Sequence, residues 1–371
     1  MVSLTGHAYC WDVLGDPAFA DRAAGLGLDA VALAAAYHSV RAATPLHPRH
    51  QVVDARYAAL YRPVRESVWR SLRLRPLAPD WMDGPDPFRV AASVLSARGL
   101  DVVAWVVLTH NTRLGTKHPD VAVVNCFGDR YPYALCPSWE EVRDYATLLA
   151  AEAVHDVPVS AVSLEACGQL GVVHAGHHDK TAGAWSETAR RWLSVCCCAA
   201  CRRSWDAAGA DPERVVAQLR AAVHTGSPVD DAQTIVDTRL QAADAMRRQC
   251  AAALGGTPVR LHASLDRWAT GPSPGYAAAT PGHLMLNAWA VSPEPVAAVE
   301  AAVRQGHTVH AYVTALPPTS AAELPDHVRA LVAAGASGIN LYHLGLAPPS
   351  GQQAIQAVAK IPLIQAFSTT F

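Results

Sequence analysis

Eight short runs rich in β-branched residues alternate with alanine-rich stretches of helical period along the chain. Such alternation is typical of βα units that build a parallel sheet. The runs lie at 7–14, 28–38, 100–111, 157–165, 259–265, 284–290, 308–316 and 338–344. Eight strands with crossover helices in 371 residues predict an α/β chain, with 1–371 forming a single (β/α)8 TIM barrel. A doubly wound open sheet is the structural alternative, but no GxGxxG motif follows an early strand.

Apolar residues at helical spacing predict the helices between these strands. We place helices at 17–25, from 137 onward, at 293–305, at 321–334 and at 352–360. Two long insertions, roughly 39–87 after strand two and 166–215 after strand four, follow the carboxyl ends of their strands. That end of a (β/α)8 barrel carries the active site, so we expect both insertions to border it.

Composition and charge exclude several classes of protein. Hydrophobic residues make up 51% of the chain and charged residues 17%, which supplies a large core and argues against disorder. A formal net charge of -2 argues against a nucleic-acid surface. No apolar run reaches the roughly 18 residues that span a bilayer, and Met1 to His7 do not resemble a secretory leader. We therefore expect a cytoplasmic protein without a membrane or nucleic-acid partner, and leave open a homo-oligomer.

Four of the nine cysteines have the spacing of a metal site. Cys136 opens a Cys-Pro-Ser-Trp-Glu segment, and Cys196, Cys198 and Cys201 form a CxCxxC turn downstream. Four thiolates are a ligand set that zinc favours when its role is structural. An odd number of cysteines, three of them consecutive, suits metal ligation better than disulfides, although a redox cluster is the alternative. We predict a structural Zn²⁺ that pins the loop after strand four to the start of helix three.

Polar and aromatic residues accumulate near the carboxyl ends of the predicted strands. Taken singly, each would be a satisfied core or rim residue, but the bias recurs on most strands and indicates a binding site. Aromatic rings with hydrogen-bonding neighbours suit a sugar, which has apolar faces and a fringe of hydroxyl groups. The predicted substrate-binding residues are Trp11, Tyr37, His38, Arg41, His110, Asn111, Asn287, Trp289, Tyr312, Tyr342 and His343.

Glu165 ends the fourth predicted strand and follows the apolar segment Val162-Ser-Leu. Burial beside apolar neighbours raises the pKa of a carboxyl group and can keep it protonated as a general acid. The structural alternative is a strand-end glutamate that bonds a neighbouring arginine. We interpret Glu165 as the leading catalytic candidate.

The segment Cys-Pro-Ser-Trp-Glu-Glu-Val-Arg from Cys136, the glutamate that ends strand four, and the CxCxxC turn followed by Arg202 resemble the zinc-bearing β-galactosidases of glycoside hydrolase family 42. The phrases Thr-His-Asn-Thr-Arg-Leu-Gly and Gly-His-His-Asp-Lys resemble a group of bacterial glycoside-hydrolase-like barrel proteins. The resemblance covers roughly the first 205 residues. It implies one zinc held by the four cysteines named above, and an acid/base glutamate at Glu165.

The chain departs from the galactosidase pattern at two points. The family has asparagine directly before the acid/base, where this chain has Leu164, and its nucleophilic glutamate ends strand seven, where the segment 310–314 contains no carboxylate. Glycoside hydrolysis ordinarily uses two carboxyl groups. Asp12 and Asp266 are the available substitutes, and Tyr312 is a further nucleophile candidate.

The sequence therefore predicts a glycosidase-like hydrolase that acts on a small sugar or glycoside. One alternative is a carbohydrate-binding pseudoenzyme that lacks the strand-seven nucleophile. Another is a metal-dependent hydrolase or isomerase that uses the loop His174 to Asp179, which also contains His177 and His178. That loop lacks the HExxH spacing, so it is the weaker metal candidate.

Overall fold

A closed barrel of eight parallel strands forms the centre of the molecule. The computed structural model describes residues 2–173, 180–181, 183–277, 280–317, 319 and 322–362. The first strand pairs with both the second and the eighth, which closes the sheet. The strands are β1 (Ser3–Ala8), β2 (Ala30–Tyr37), β3 (Asp101–Val107), β4 (Ala161–Glu165), β5 (Val259–Ala263), β6 (His283–Asn287), β7 (Val309–Thr314) and β8 (Gly338–Tyr342). The predicted (β/α)8 TIM barrel is confirmed.

Helices follow most of the barrel strands and cover the outside of the barrel. The larger ones are Phe19–Gly25, Pro87–Ser96, Glu140–Val154, Ala232–Ala253, Pro293–Arg304, Leu324–Ala333 and Pro349–Ala359. The connection between β5 and β6 has no helix within its described residues, 264–277 and 280–282. Among the described residues, no helix has both the length and the apolar character that a membrane crossing needs.

The predicted first strand, 7–14, is wrong in its position. β1 ends at Ala8, and a short helix, Cys10–Leu14, begins two residues later. The backbone turns at Tyr9, whose N–H donates to Asp12 Oδ2 at 2.9 Å. A carboxylate on the third helical residue that accepts from the residue before the helix stabilises a helix start, and this contact ends the strand.

Three insertions at the carboxyl ends of the strands surround the mouth of the barrel. After β2 come a hairpin, Val40–Ala43 with Val52–Ala55, a short strand Ala59–Leu60 that pairs antiparallel with β2, and the helix Glu66–Trp69. After β3 come the helix Thr112–Lys117 and a second hairpin, Ala122–Val124 with Arg130–Leu135, which the sequence analysis did not predict. After β4 come the helices Glu187–Leu193, Ala199–Ala207 and Pro212–Thr225.

Rings and polar groups occupy much of the barrel interior. The His7 ring lies edge-on to Trp105 with centroids 4.7 Å apart, and Tyr312 lies 4.8 Å from His7 and 5.1 Å from His262. These residues belong to the nonadjacent strands β1, β3, β5 and β7, so their rings meet across the inside of the barrel. Branched aliphatic side chains fill the interior of most barrels of this fold, whereas this interior contains rings that carry titratable groups.

Arg62 attaches the insertion after β2 to the outside of the barrel. Its guanidinium is 4% exposed and donates from Nε to Asp86 Oδ1 at 2.8 Å. The same group donates to the carbonyl oxygens of Ala153 and His155 at the end of the helix Glu140–Val154. One buried side chain therefore connects the insertion to the start of one barrel helix and the end of another.

We expect Arg62→Met to lower the free energy of unfolding by about 2 kcal/mol, because it leaves two helix-end carbonyls without their donor and removes one of the donors to the half-buried Asp86 carboxylate, which keeps those of Arg89. Urea unfolding followed by circular dichroism measures the change. Arg98→Met is the matched control, since Arg98 pairs with Asp21 on the surface and its loss should change stability little. Equal effects of the two substitutions would contradict the anchoring role of Arg62.

Candidate active site and cysteine cluster

Glu165 is the last residue of β4, and its side chain lies inside the mouth of the barrel. The side chain is 8% exposed, and Oε2 accepts a hydrogen bond from Trp105 Nε1 at 2.7 Å. His262 Nε2 lies 3.9 Å from the same oxygen. β3 and β5 are the two strands that pair with β4, so the neighbouring strands bring an indole and an imidazole to this carboxyl group.

The surroundings of Glu165 favour its protonated form. Burial raises its pKa from the ordinary value of 4.5 to about 7, and the hydrogen bond from Trp105 opposes part of that rise. Burial also lowers the pKa of His262 to about 3, so the imidazole beside Glu165 is neutral and supplies no compensating charge. The carboxyl group can therefore donate or accept a proton near neutral pH.

The backbone after Glu165 is held in an uncommon conformation. Ala166 has a φ of 56°, a left-handed value that costs a residue with a Cβ on the order of 1 kcal/mol. Thr109 Oγ1 donates to the carbonyl oxygens of Ala166 and Gly168, and the Ala166 N–H donates to Pro272 O at 2.8 Å. These contacts stabilise the turn that fixes the direction of the Glu165 side chain.

Tyrosines from three strands surround the Glu165 carboxyl group. Burial raises the pKa of Tyr37, Tyr312 and Tyr342, and the charge of Glu165 raises all three further. Their hydroxyl groups therefore stay protonated at neutral pH and can donate hydrogen bonds. Tyr37 also packs against Trp105, with ring centroids 4.5 Å apart.

Most of the predicted substrate-binding residues belong to one network of ring contacts around Trp105. Tyr37 stacks on His38 at 4.2 Å, and His38 stacks on His110 at the same distance. On the other side of the barrel mouth, Trp289 lies 5.0 Å from Tyr342. Tyr9 adds ring contacts with Trp11 at 4.3 Å and with His343 at 4.2 Å.

The other three predicted substrate-binding residues have different surroundings. Arg41 is exposed in the hairpin after β2. Asn111 Oδ1 accepts from the Leu114 N–H at the start of the helix Thr112–Lys117, and its Nδ2 donates to Tyr145 Oη. Asn287 Oδ1 accepts from the Trp289 N–H at 3.1 Å and orients the turn after β6.

The two predicted partner carboxylates lie in unlike environments. Asp12 is buried, which raises its pKa to about 7, and His343 Nδ1 lies 3.9 Å from its Oδ2. Its carboxyl group packs on Gly345, where a Cβ would lie 2.1 Å from Cγ. Asp266 is exposed and accepts from the Trp268 N–H at 2.9 Å. Within the described chain, no hydrogen bond or ion pair joins either carboxylate to Glu165.

Three buried side chains near Glu165 are absent from the sequence-based predictions: Trp105 and His262, which lie beside its carboxyl group, and His7, whose ring contacts both of them. Each belongs to a barrel strand and is buried, whereas the analysis considered residues at or beyond the strand ends. The available signal was the period-two pattern of the strands. His7 and His262 lie within barrel strands. Their rings contact rings from strands across the barrel, so both imidazoles face the interior.

The four predicted cysteine ligands come together in a second buried site. Their sulfur atoms all lie within 4.8 Å of one another, with Cys136 Sγ 3.5 Å from Cys201 Sγ and 3.8 Å from Cys198 Sγ. Tetrahedral coordination with metal–sulfur bonds of about 2.3 Å separates ligand sulfurs by about 3.8 Å. The nine cysteines are free thiols, so no disulfide competes for these sulfurs. The cluster, completed by Cys196, can hold a metal ion.

The cluster joins the insertions after β3 and β4. Cys136 directly follows the second hairpin and donates its N–H to Val121 O at 2.9 Å. The other three sulfurs come from the turn before the helix Ala199–Ala207 and from its first turn. Cys197 lies within that turn, but its Sγ is directed to Val195 O at 3.7 Å and takes no part in the cluster.

Two polar side chains connect the cluster to the mouth of the barrel. Gln169 Nε2 donates to Cys136 Sγ at 3.4 Å and to Cys201 Sγ at 3.3 Å, and Gln169 is four residues beyond Glu165. Arg239 borders the same small cavity as two of the cysteines and donates to the carbonyl oxygens of residues 268 and 269 in the loop after β5. Burial lowers the pKa of Arg239 to about 10, and the nearby Asp266 and cysteines oppose the shift.

The third predicted feature, the loop from His174 to Asp179, lies outside the described residues. Its metal-binding alternative stays a prediction.

Comparison with solved structures relates this fold to that of sugar-processing enzymes. An alpha-L-fucosidase isoenzyme 2 from Paenibacillus thiaminolyticus matches 99% of this chain and 50% of its own at 12% identity, with a TM-score of 0.62. The catalytic domain of a beta-amylase from Paenibacillus polymyxa matches 97% and 99% at 13% identity, with a TM-score of 0.59. A beta-galactosidase from the psychrophilic Marinomonas ef1 matches 98% and 60% at 10% identity, with a TM-score of 0.58.

The chain shares the barrel fold of these three enzymes. The chain spans about half the length of the fucosidase and nearly all of the beta-amylase catalytic domain. No protein-family model and no curated protein matches the sequence. At these identities the likeness concerns the arrangement of strands and helices, and the chemistry has to be argued from the residues themselves.

We expect Cys198→Ser to weaken metal binding more than about a hundredfold, because the loss of a ligand exceeds the effect of losing an outer hydrogen bond. Metal content by mass spectrometry and competition with a chelator measure the change. Cys197→Ser is the matched control, since its sulfur lies outside the cluster. Full metal binding by Cys198→Ser, or equal losses in the two variants, would contradict the four-cysteine assignment.

We expect the free energy of unfolding of Glu165→Gln to increase relative to that of the wild type as the pH rises from 5 to 8. The folded protein holds the Glu165 proton up to a pKa of about 7, whereas the unfolded chain releases it near 4.5. The wild type therefore loses stability across this window, and the difference between the two proteins should grow by about 3 kcal/mol. Urea unfolding at several pH values measures it, and a difference independent of pH would contradict the raised pKa.

Proposed function

We propose that the protein is a glycoside hydrolase that acts on a small sugar or glycoside at the carboxyl end of the barrel, with Glu165 as general acid/base. The observation that carries the proposal is a buried carboxyl group with a pKa of about 7, at the end of β4 and beside the indole of Trp105. A general acid is most effective when its pKa is close to the working pH. The names of structures that share this fold, a fucosidase, a beta-amylase and a beta-galactosidase, support the same reaction class.

In this proposal, Glu165 donates its proton to the glycosidic oxygen as the bond to the sugar breaks. Trp105 holds one carboxyl oxygen, so the other is left to face the substrate. The neutral hydroxyl groups of Tyr312 and Tyr342 donate hydrogen bonds to the sugar. Trp289 is 38% exposed next to Tyr342, and its ring supplies an apolar platform for a sugar face.

Asp12 is the second carboxyl group that we favour, with Asp266 as the alternative. Cleavage requires a group that stabilises the oxocarbenium charge or activates water. Asp12 is buried in the same mouth, and its charge and that of Glu165 both act on Tyr342. Its contact with the Tyr9 N–H holds the carboxyl group in place. Asp266 lies exposed at the rim, where it would need a loop movement to reach the reacting carbon.

We further propose that the cysteine cluster holds Zn²⁺ in a structural role. Zinc favours four thiolates with tetrahedral geometry, and such a site has no position left for a substrate. Four thiolates around a divalent ion carry a net charge of about -2 in a buried place, which requires nearby donors. Gln169 is such a donor, and Arg239 contributes positive charge. The bound ion would order the insertions that border the barrel mouth.

We expect Glu165→Gln to lower kcat on phenyl glycosides by at least about a hundredfold, because general acid catalysis contributes that much. The loss should be smaller on nitrophenyl glycosides of the same sugar, since nitrophenol leaves without much help from an acid. A panel of α- and β-linked sugars identifies the substrate. In the wild type, kcat should have a bell-shaped pH profile centred near 7, because Glu165 must be protonated and Asp12 ionised, and the limb that falls as Glu165 loses its proton should be absent from the variant.

Glu300→Gln is the control for this experiment, because Glu300 lies on the surface helix Pro293–Arg304 and pairs only with Arg304 in the structure. Equal activity of Glu165→Gln and Glu300→Gln would exclude Glu165 as the acid.

A sugar-binding protein without turnover is the second candidate, and the lack of a carboxylate in β7, Val309–Thr314, favours it. A sugar would then raise the melting temperature of the wild type by mass action, and no glycoside in the panel would be cleaved.

A further inference from the structure

A cavity of about 300 Å³ lies between the insertions after β2 and β3. Leu72 and Leu114 form its apolar walls, and the other side chains that line it are basic. They are Arg73, Arg75, Arg113, Lys117 and His118. No part of the proposed catalytic machinery lies among them, so the cavity is a feature separate from the barrel mouth.

The acidic neighbours of this cavity are already engaged by two of its arginines. Arg73 pairs with Asp120 and with Glu141, each at 2.6 Å. Arg75 pairs with Glu66 at 3.1 Å.

Arg113 and Lys117 make no ion pair within the described part of the chain. The Arg113 guanidinium donates only to the carbonyl oxygen of Arg75 among the contacts that the structure gives. Because Arg73 is matched by two carboxylates and Arg75 by one, Arg113 and Lys117 leave the lining and its acidic neighbours with a net charge of +1.

Two buried nitrogen atoms of the lining have no hydrogen-bond partner. They are Arg113 Nε and His118 Nε2, and the His118 residue is only 9% exposed. Buried polar groups in native proteins are almost always hydrogen-bonded, and an exception indicates a missing water molecule or ion. The arginine nitrogen is a donor only, and the imidazole nitrogen can donate as well. Both atoms have almost no accessible surface, so they are not contact points for a ligand, but they show that this wall of the cavity holds donors without matching acceptors.

Charges of both signs act on the imidazole. Burial lowers the pKa of His118, the charges of Arg73 and Lys117 lower it further, and those of Asp120 and Glu141 oppose the shift. Arginine presents a planar fork that matches the oxygens of phosphate, and lysine adds a point charge. A neutral ligand would leave the excess positive charge without compensation.

We propose that this cavity binds a phosphate group, either inorganic phosphate or the phosphate of a phosphorylated sugar. Arg113 and Lys117 supply the charge, and the Arg113 guanidinium and the Lys117 ammonium donate to the phosphate oxygens. Binding would join the insertion after β2 to the segment after β3, because the lining comes from both. The site acts independently of Glu165 and goes beyond the proposed glycosidase activity.

Isothermal titration calorimetry of the full chain with inorganic phosphate and with glucose 6-phosphate, at constant ionic strength set by chloride, tests the proposal. We expect saturable binding of at least one of these anions, and the tighter of the two identifies the source of the phosphate. Arg113→Gln should weaken the binding by about tenfold or more, since it removes a charge-assisted hydrogen bond. Lys117→Gln is a second variant that keeps the contact of Arg113 with residue 75.

Arg304→Gln is the matched control, because Arg304 is 63% exposed on a helix outside the cavity. It should bind phosphate as the wild type does, and so should Glu165→Gln, which separates this site from the catalytic proposal. Circular dichroism verifies that each variant is folded. No saturable binding of either anion, or equal binding by Arg113→Gln, Lys117→Gln and Arg304→Gln, would overturn the proposal.

Discussion

The burial of Glu165 without a charged partner is the constraint on which the proposed chemistry depends. The hydrogen bond from Trp105 and the neutral imidazole of His262 keep the carboxyl group inside the barrel, yet neither neutralises a negative charge. Because the ionised form of Glu165 would be buried without an opposite charge, its pKa is raised to about 7. A barrel interior filled by aliphatic side chains would provide burial alone. This interior combines burial with donors at fixed positions, which a proton-transfer site requires.

Hydrogen bonds connect the cysteine cluster to the mouth of the barrel. Gln169 bonds two of the sulfurs and lies on the same loop as Glu165, and Thr109 holds the turn between them. Arg239 extends the connection to the loop after β5. Long surface loops are ordinarily mobile, because few buried contacts restrain them. A metal ion at the cluster would restrain the loops after β3 and β4 directly and the loop after β5 through Arg239. It would take no part in bond breaking.

The alternation of strands and helices could be predicted from the sequence because it depends on the spacing of apolar residues along short segments. The barrel and most of its strands were predicted from that pattern, and Glu165 was predicted as a catalytic candidate because it ends an apolar strand. β1 was misplaced since a single contact, Asp12 to the Tyr9 N–H, ends the strand there. Trp105 and His262 were missed for a related reason: within one strand a buried ring looks like any other core residue, and only the neighbouring strands reveal what it contacts.

The sequence by itself determined the eight-stranded α/β architecture and the identity of the four clustered cysteines, because both depend on residue spacing along the chain. Only the tertiary structure decided which rings lie near Glu165 and that Asp12 is buried while Asp266 is exposed. It also decided that Arg113, Lys117 and His118 line a cavity with residues 72, 73 and 75. These facts depend on contacts between segments far apart in the chain. Closure of the barrel and packing of its insertions bring such segments together, and no local pattern records that outcome.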